Sequence, residues 1–191
     1  MLGYPNKKKI IKQATNYANL GMTLESDIES TNAFYLSNHI AVIHKKPTPI
    51  QVVNVSYPAR NKAKITEAYY RTPSTTDFNG LYKGRYIDFD AKETNSKTSF
   101  PLSNVHIHQI QHLQDVKEHG GVAFLIVQWK QYNEYYLLTI DQLLPFWEAS
   151  KKDGRKSIPY EFFKDNCLTI PFSYQPRLDY LKAVDQLILQ I

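Results

Sequence analysis

Residues 84–94 read GRYIDFDAKET. Side chains alternate between the two faces of a β-strand, so Ile87, Phe89 and Ala91 share one face while Asp88, Asp90 and Lys92 share the other. The first face suits a core. The second carries two acids and a lysine, and two readings are open: a solvated strand face that needs no chemistry, or a charged cluster kept for a purpose. The surrounding residues decide between them.

Immediately upstream, TTDFNGLYK supplies a short strand around Phe78 and a turn region with Asn79, Gly80 and Gly84, so the segment reads as a hairpin whose long arm is the quoted strand. Downstream, VHIHQIQHLQDVKEHGG reads as a helix with Val105, Ile110, Leu113 and Val116 on one face and Gly120 and Gly121 as its stop. VAFLIVQW is apolar on both faces and reads as a central strand, with EYYLLTI as its neighbour. DQLLPFWEASKK and PRLDYLKAVDQLILQI add helical surface.

Toward the N-terminus, Leu24, Ile28 and Phe34 or Tyr35 form a helical stripe after Thr23, an N-cap whose third following residue is Ser26 rather than the Glu of a capping box. Glu25 in the first turn complements the helix dipole. IAVIHKK and IQVVNVSY, rich in β-branched residues and separated by PTP, read as a strand pair joined by a short turn. PARNKAKITEAYYRTPS, bounded by Pro58 and Pro73, is too polar for core and reads as an excursion from the body. There Arg60, Lys62, Lys64 and Arg71 interleave with Tyr69 and Tyr70; cations meet phosphates and rings stack on exposed bases. A solvated helix with both tyrosines packed inward is the other reading. Strands alternate with helices, which is the α/β class.

A length of 191 residues suits one domain over 21–191, preceded by a polar, basic, aperiodic arm at 1–20. A net charge of +5 and 14 tyrosines suit a polyanion partner. The single cysteine, Cys167, excludes an intrachain disulfide and a thiolate-rich zinc site, as expected of a protein of the reducing cytoplasm. GGVAFLIVQW, the most apolar segment, is too short to span a bilayer, so no membrane role is expected. His108 and His112 lie one helical turn apart with His106 nearby, but no third ligand has suitable spacing, and these histidines are read as satisfied or solvated.

The hairpin brings Asp77, from one arm, near Asp90 and Lys92 on the other. Hydrolysing a phosphodiester requires neutralising an anion that repels hydroxide and supplying a nucleophile of lowered pKa; carboxylates holding Mg²⁺ do both. Strand residues two apart are separated by about 6.6 Å, within reach of a lysine stem, so Lys92 can lie where water and phosphate meet.

STTDFNG followed by IDFDAKET resembles the Asp, then Asp/Glu-x-Lys signature of restriction-endonuclease-like nucleases. Together with AVIHKKPTPIQVVNV, EAYYRTPSTTDFNG, YKGRYIDFDAKET, TSFPL, FW, GRKSI and PRLDYLKAV, in order from about Gly21 to the C-terminal helix, the chain resembles the RecU family of Holliday junction resolvases. The resemblance implies a restriction-endonuclease-like core, a mixed β-sheet flanked by helices with a projecting stalk at about 58–73. It implies a Mg²⁺ site, able to take Mn²⁺, on Thr75, Asp77, Asp90 and Gln109, with Lys92 stabilising the transition state. It also implies contacts to a four-way junction from Lys45, Arg60, Tyr69 and Tyr70, with Glu25 a further candidate acid. The implied protein is a homodimer that places paired nicks on strands of like polarity, leaves 5′-phosphate ends, and works in recombination and repair alongside branch-migration and recombinase proteins. The family's usual Glu is replaced by Asp90, one methylene shorter, and Leu20 stands where an arginine is expected. Two alternatives remain from other readings of the same residues: a catalytically silent junction-binding module, and a nuclease of the same fold without junction selectivity.

Overall fold

A computed structural model of the chain describes residues 23–59, 61–71 and 75–189. In chain order its elements are α1 (Leu24–Ser37), β1 (Val42–Lys45), β2 (Ile50–Ser56), β3 (Lys64–Tyr70), β4 (Phe78–Tyr82), β5 (Arg85–Thr94), β6 (Ser99–Pro101), α2 (Ile107–Glu118), β7 (Val122–Trp129), β8 (Glu134–Thr139), α3 (Ile140–Lys151), β9 (Ser157–Pro159), α4 (Tyr160–Asn166), β10 (Leu168–Thr169) and α5 (Tyr180–Ile188). The quoted strand is β5, and it lies inside a six-stranded sheet of order β1-β4-β5-β7-β8-β10. Only β5 and β7 run parallel; the other neighbours are antiparallel. A parallel pair needs a crossover, and here the connection carries α2 back over one face of the sheet.

Each face has its own apolar layer. Ile87 and Phe89 of β5 and Val122, Phe124 and Ile126 of β7 face α1 and α5, whose Leu24, Ile28, Tyr35, Leu181 and Val184 complete that core. Ala123, Leu125 and Val127 face α2, α3 and α4 through Ile110, Leu113, Leu143 and Phe163. Phe78, Phe89 and Phe124 stack across three strands at centroid separations of 5.0 and 4.9 Å, which fixes the register of β4 on β5. Burying each ring stabilises the fold by roughly 1.5–3 kcal/mol. Thr23 caps α1 by accepting from Ser26 N at 3.2 Å, as its sequence predicts.

Three expectations need correction. Segments 40–46 and 50–57 do not pair with each other: β1 pairs with β4, and β2 pairs with β3 as a separate two-stranded ribbon. Pro47 and Pro49 keep the link extended, and Lys46 N continues the β1–β4 ladder by donating to Asp77 O at 2.7 Å, so the chain leaves the sheet instead of turning within it. Asn79 and Gly80 are not turn residues but lie inside β4; the turn is Lys83–Gly84, both at positive φ (49° and 75°), the conformation of a tight two-residue hairpin loop. Gly80 is needed where it is because a Cβ there would strike Val42 O and approach Ile43 Cα to 2.5 Å. The helical reading of 58–74 also fails, since Lys64–Tyr70 is strand β3.

The ribbon projects from the body. Val55 is half-buried and every other residue of β2 and β3 is exposed, Tyr69 at 60% and Tyr70 at 85%. Neither tyrosine packs inward. The arm at 1–20, Arg60 and Pro73 lie outside the described residues. Among the described residues no helix is long and apolar enough to cross a membrane.

Candidate active site

The register that sets Phe78 opposite Phe89 places Asp77, one residue before β4, alongside Asp90. Directly opposed residues of an antiparallel pair share a face, here the face covered by α2. Asp88 and Asp90 are fully buried, which eliminates the solvated-face reading of β5. A buried carboxylate must be partnered or must titrate, and the two acids meet that demand differently.

Asp88 is saturated. Thr76 Oγ1 donates to its Oδ1, while Lys46 Nζ at 2.8 Å, Tyr86 OH at 2.8 Å and His112 Nε2 at 3.0 Å surround its Oδ2. Three partners crowd Oδ2 and one holds Oδ1, so both oxygens of this carboxylate are engaged.

Asp90 is open by comparison. Its Oδ2 accepts from Gln109 Nε2, and its Oδ1 lies 2.9 Å from Lys92 Nζ without a directed hydrogen bond, leaving a buried oxygen with an unused lone pair. Burial pushes its carboxyl up to about 6, the Lys92 ammonium opposes this, and the neighbouring Asp77 carboxyl, within hydrogen-bonding reach, adds to it. Two abutting carboxyls, one with an oxygen that meets an ammonium and has a lone pair to spare, are a donor set that suits a hard divalent cation. Thr75 is half-buried two residues before Asp77 and offers a hydroxyl. Among the described residues no group of three or more His, Cys, Asp or Glu side chains could hold a metal.

The sequence-predicted residues therefore divide. Asp77, Asp90, Lys92 and Gln109 converge where β4 and β5 meet the first turn of α2, while the Thr75 hydroxyl, two residues before Asp77, donates to Thr76 O at 3.4 Å. Gln109 Oε1 accepts from His106 N at 3.0 Å, closing a capping box, and its amide nitrogen faces Asp90. In this geometry Gln109 holds Asp90 in place, not yet presenting an oxygen. Lys45 lies on the α1 side of the sheet, paired with Glu25 at 2.6 Å and Glu29 at 3.0 Å, whose hydrogen bonds raise its pKa. Glu25 is thus a partner of Lys45 and no part of the Asp77–Asp90 centre. Tyr69 and Tyr70 stand on the ribbon, Tyr69 OH donating to Glu67 at 2.9 Å. Lys46, Thr76 and Tyr86 were not singled out in the sequence, whereas His112, read there as satisfied or solvated, is satisfied by Asp88 at 3.0 Å. The one available signal was Asp88, an acid two residues before Asp90 on a strand otherwise suited to burial. Desolvation, and then the neighbouring His106 and Lys92, hold the His108 imidazole below its usual pKa.

A mixed sheet between helical layers, with acids meeting on adjacent strands and a lysine two residues on, is consistent with the restriction-endonuclease-like nuclease core. The RecU family model, described as Recombination protein U, matches residues 19–186, and the chain belongs to that family. It is 51% identical to the Holliday junction resolvase RecU of Staphylococcus aureus strain MRSA252, over 98% of this chain and 97% of that protein, and 51% identical, with the same coverage, to the protein of that name from strain JH9.

Proposed function

We propose that this protein is a metal-dependent endonuclease that resolves four-way DNA junctions, acting in the cytoplasm as a homodimer that nicks two strands of like polarity and leaves 5′-phosphate ends. The observation that carries the reading is the meeting of half-buried Asp77 with fully buried Asp90, whose Oδ1 has the Lys92 ammonium as ion-pair partner and a lone pair to spare, in a chain of this family. Asp77 and Asp90 hold the cation, Mg²⁺ or in its place Mn²⁺, with Thr75 adding a neutral oxygen. When bound, the ion supplies Lewis-acid polarisation of the scissile phosphate and a lowered pKa for the attacking water. Lys92 directs its ammonium at charge developing on the phosphate, and Gln109 keeps Asp90 aimed. Lys45, Arg60, Tyr69 and Tyr70 contact the junction, the exposed ribbon tyrosines stacking on its unpaired bases. One site per chain makes one cut, so a two-fold junction requires two chains.

The arm at 1–20 and one nuclease domain over 21–191, with the ribbon as its stalk, form the unit that acts, alongside branch-migration and recombinase proteins. The experiment is cleavage of a labelled four-way junction and of its linear duplex arms, with and without Mg²⁺. Paired nicks in the junction alone, religatable without a kinase, are expected. Equal cutting of both substrates would remove the junction selectivity, and cutting in chelator would remove the metal.

A further inference from the structure

Lys46, Thr76 and Asp88 have no part in the chemistry above, yet they surround the segment that delivers Asp77. Thr76 sits between Thr75 and Asp77 and is 3% exposed. Its Oγ1 donates to Asp88 and accepts from Lys46 Nζ at 3.1 Å, while the Lys46 ammonium also meets Asp88 at 2.8 Å. Lys46 takes hold a second time through its backbone, whose N–H donates to Asp77 O at 2.7 Å. Tyr86 and His112 fix Asp88 from β5 and α2.

We propose that Lys46, Thr76 and Asp88 form a latch that positions Asp77 for cation binding; the inference rests on the reading of Asp77 as a ligand. Residues 75–77 precede β4; one backbone bond, from Lys46 N–H to Asp77 O, carries the β1–β4 ladder that far, and the side-chain bonds of Thr76 add to it in setting the aim of the Asp77 carboxylate. Asp88 is engaged by Lys46, Thr76, Tyr86 and His112, and its part in the latch is to anchor Thr76. A buried ion pair is a weak source of stability compared with apolar packing, whereas it fixes geometry well, and what it fixes here is the residue between two proposed ligands. These are positioning residues, acting through Asp77.

The test measures Mn²⁺ binding to the full chain without DNA by isothermal titration calorimetry, for wild type, Thr76→Val, Thr76→Ser, Lys46→Met and Asp77→Asn. Near-UV circular dichroism reports folding, and gel shift in chelator reports junction binding. Thr76→Val keeps the volume and loses the hydroxyl, and should weaken Mn²⁺ by about 10- to 100-fold with the fold and the gel shift unchanged. Thr76→Ser should restore the affinity, and Lys46→Met should weaken it even if Thr76→Val fails to fold. Wild-type affinity in Thr76→Val or Lys46→Met, alongside loss in Asp77→Asn, overturns the latch and leaves the site reading intact. Equal weakening in Thr76→Val and Thr76→Ser also overturns it, since the hydroxyl would then be irrelevant. Unchanged affinity in Asp77→Asn removes the site reading, and the latch with it.

Discussion

Replacing Asp90 by Asn should make the metal-free protein more stable at alkaline pH and leave its stability unchanged in acid. The carboxyl is fully buried and pushed from 3.8 up to about 6, chiefly by desolvation. Because the folded state raises this pKa, the unfolded chain loses its proton first as pH rises. The native state therefore carries no penalty below the unfolded value, an increasing one up to about pH 6, and a constant one above. At about 1.4 kcal/mol per tenfold, the interval corresponds to roughly 3 kcal/mol. Asn imitates the protonated acid, so in chelator at pH 8 Asp90→Asn should gain up to about 3 kcal/mol over wild type, and at pH 4 the gap should close. Urea unfolding followed by fluorescence of buried Trp129 reads both. A divalent ion nearly closes the gap: at 100 times its dissociation constant it returns about 2.7 kcal/mol to wild type and little to the variant. A variant less stable than wild type at pH 8, or a gap equal at both pH values, would refute the account of Asp90 as a carboxylate held against its solvation.

Lys92→Met should keep the fold and junction binding in gel shift while lowering the single-turnover cleavage rate about 10²- to 10³-fold, the scale for removing one group aimed at transition-state charge. Tyr70→Ala, at a site 85% exposed, should leave the urea midpoint unchanged but weaken junction binding by about 1–3 kcal/mol if the ring stacks on a base, as fluorescence anisotropy would show. Gly80→Ala should destabilise the chain by about 1–3 kcal/mol in urea, because the added carbon meets β1 backbone at Val42 and Ile43. Phe89→Ala, which opens the middle of the three-ring stack, should cost about 3–5 kcal/mol by the same measurement.

Legibility in the sequence followed locality. The α1 cap at Thr23, the central strand β7 and the reach from Asp90 to Lys92 are written in neighbouring residues and were readable there. The pairing of β1 was not, because Ile43 finds its core beside β4, across the whole ribbon; proximity in sequence suggested β2, and tertiary burial overruled it. Gly80 reads as a turn former in isolation, and only the approach of β1 backbone shows that it is a strand residue kept small. Of the candidate site, the shared face of Asp90 and Lys92 followed from strand alternation, and the nearness of Asp77 from the hairpin. The partners of Asp88 did not, since Lys46, Thr76, Tyr86 and His112 come from four segments whose meeting depends on the sheet order.

The lone parallel pairing in the sheet has a consequence for how the centre is assembled. Because β5 and β7 run the same way, the chain must travel back above the sheet between them, and this return path lays the start of α2 on Asp90. Everything from Thr75 to Gln109 is thereby supplied by one uninterrupted run of chain, so only short loops must close to gather it. Entropy of closure grows slowly with loop length, and neither the N-terminal helix nor the last helix has to arrive before the acids and the lysine can meet.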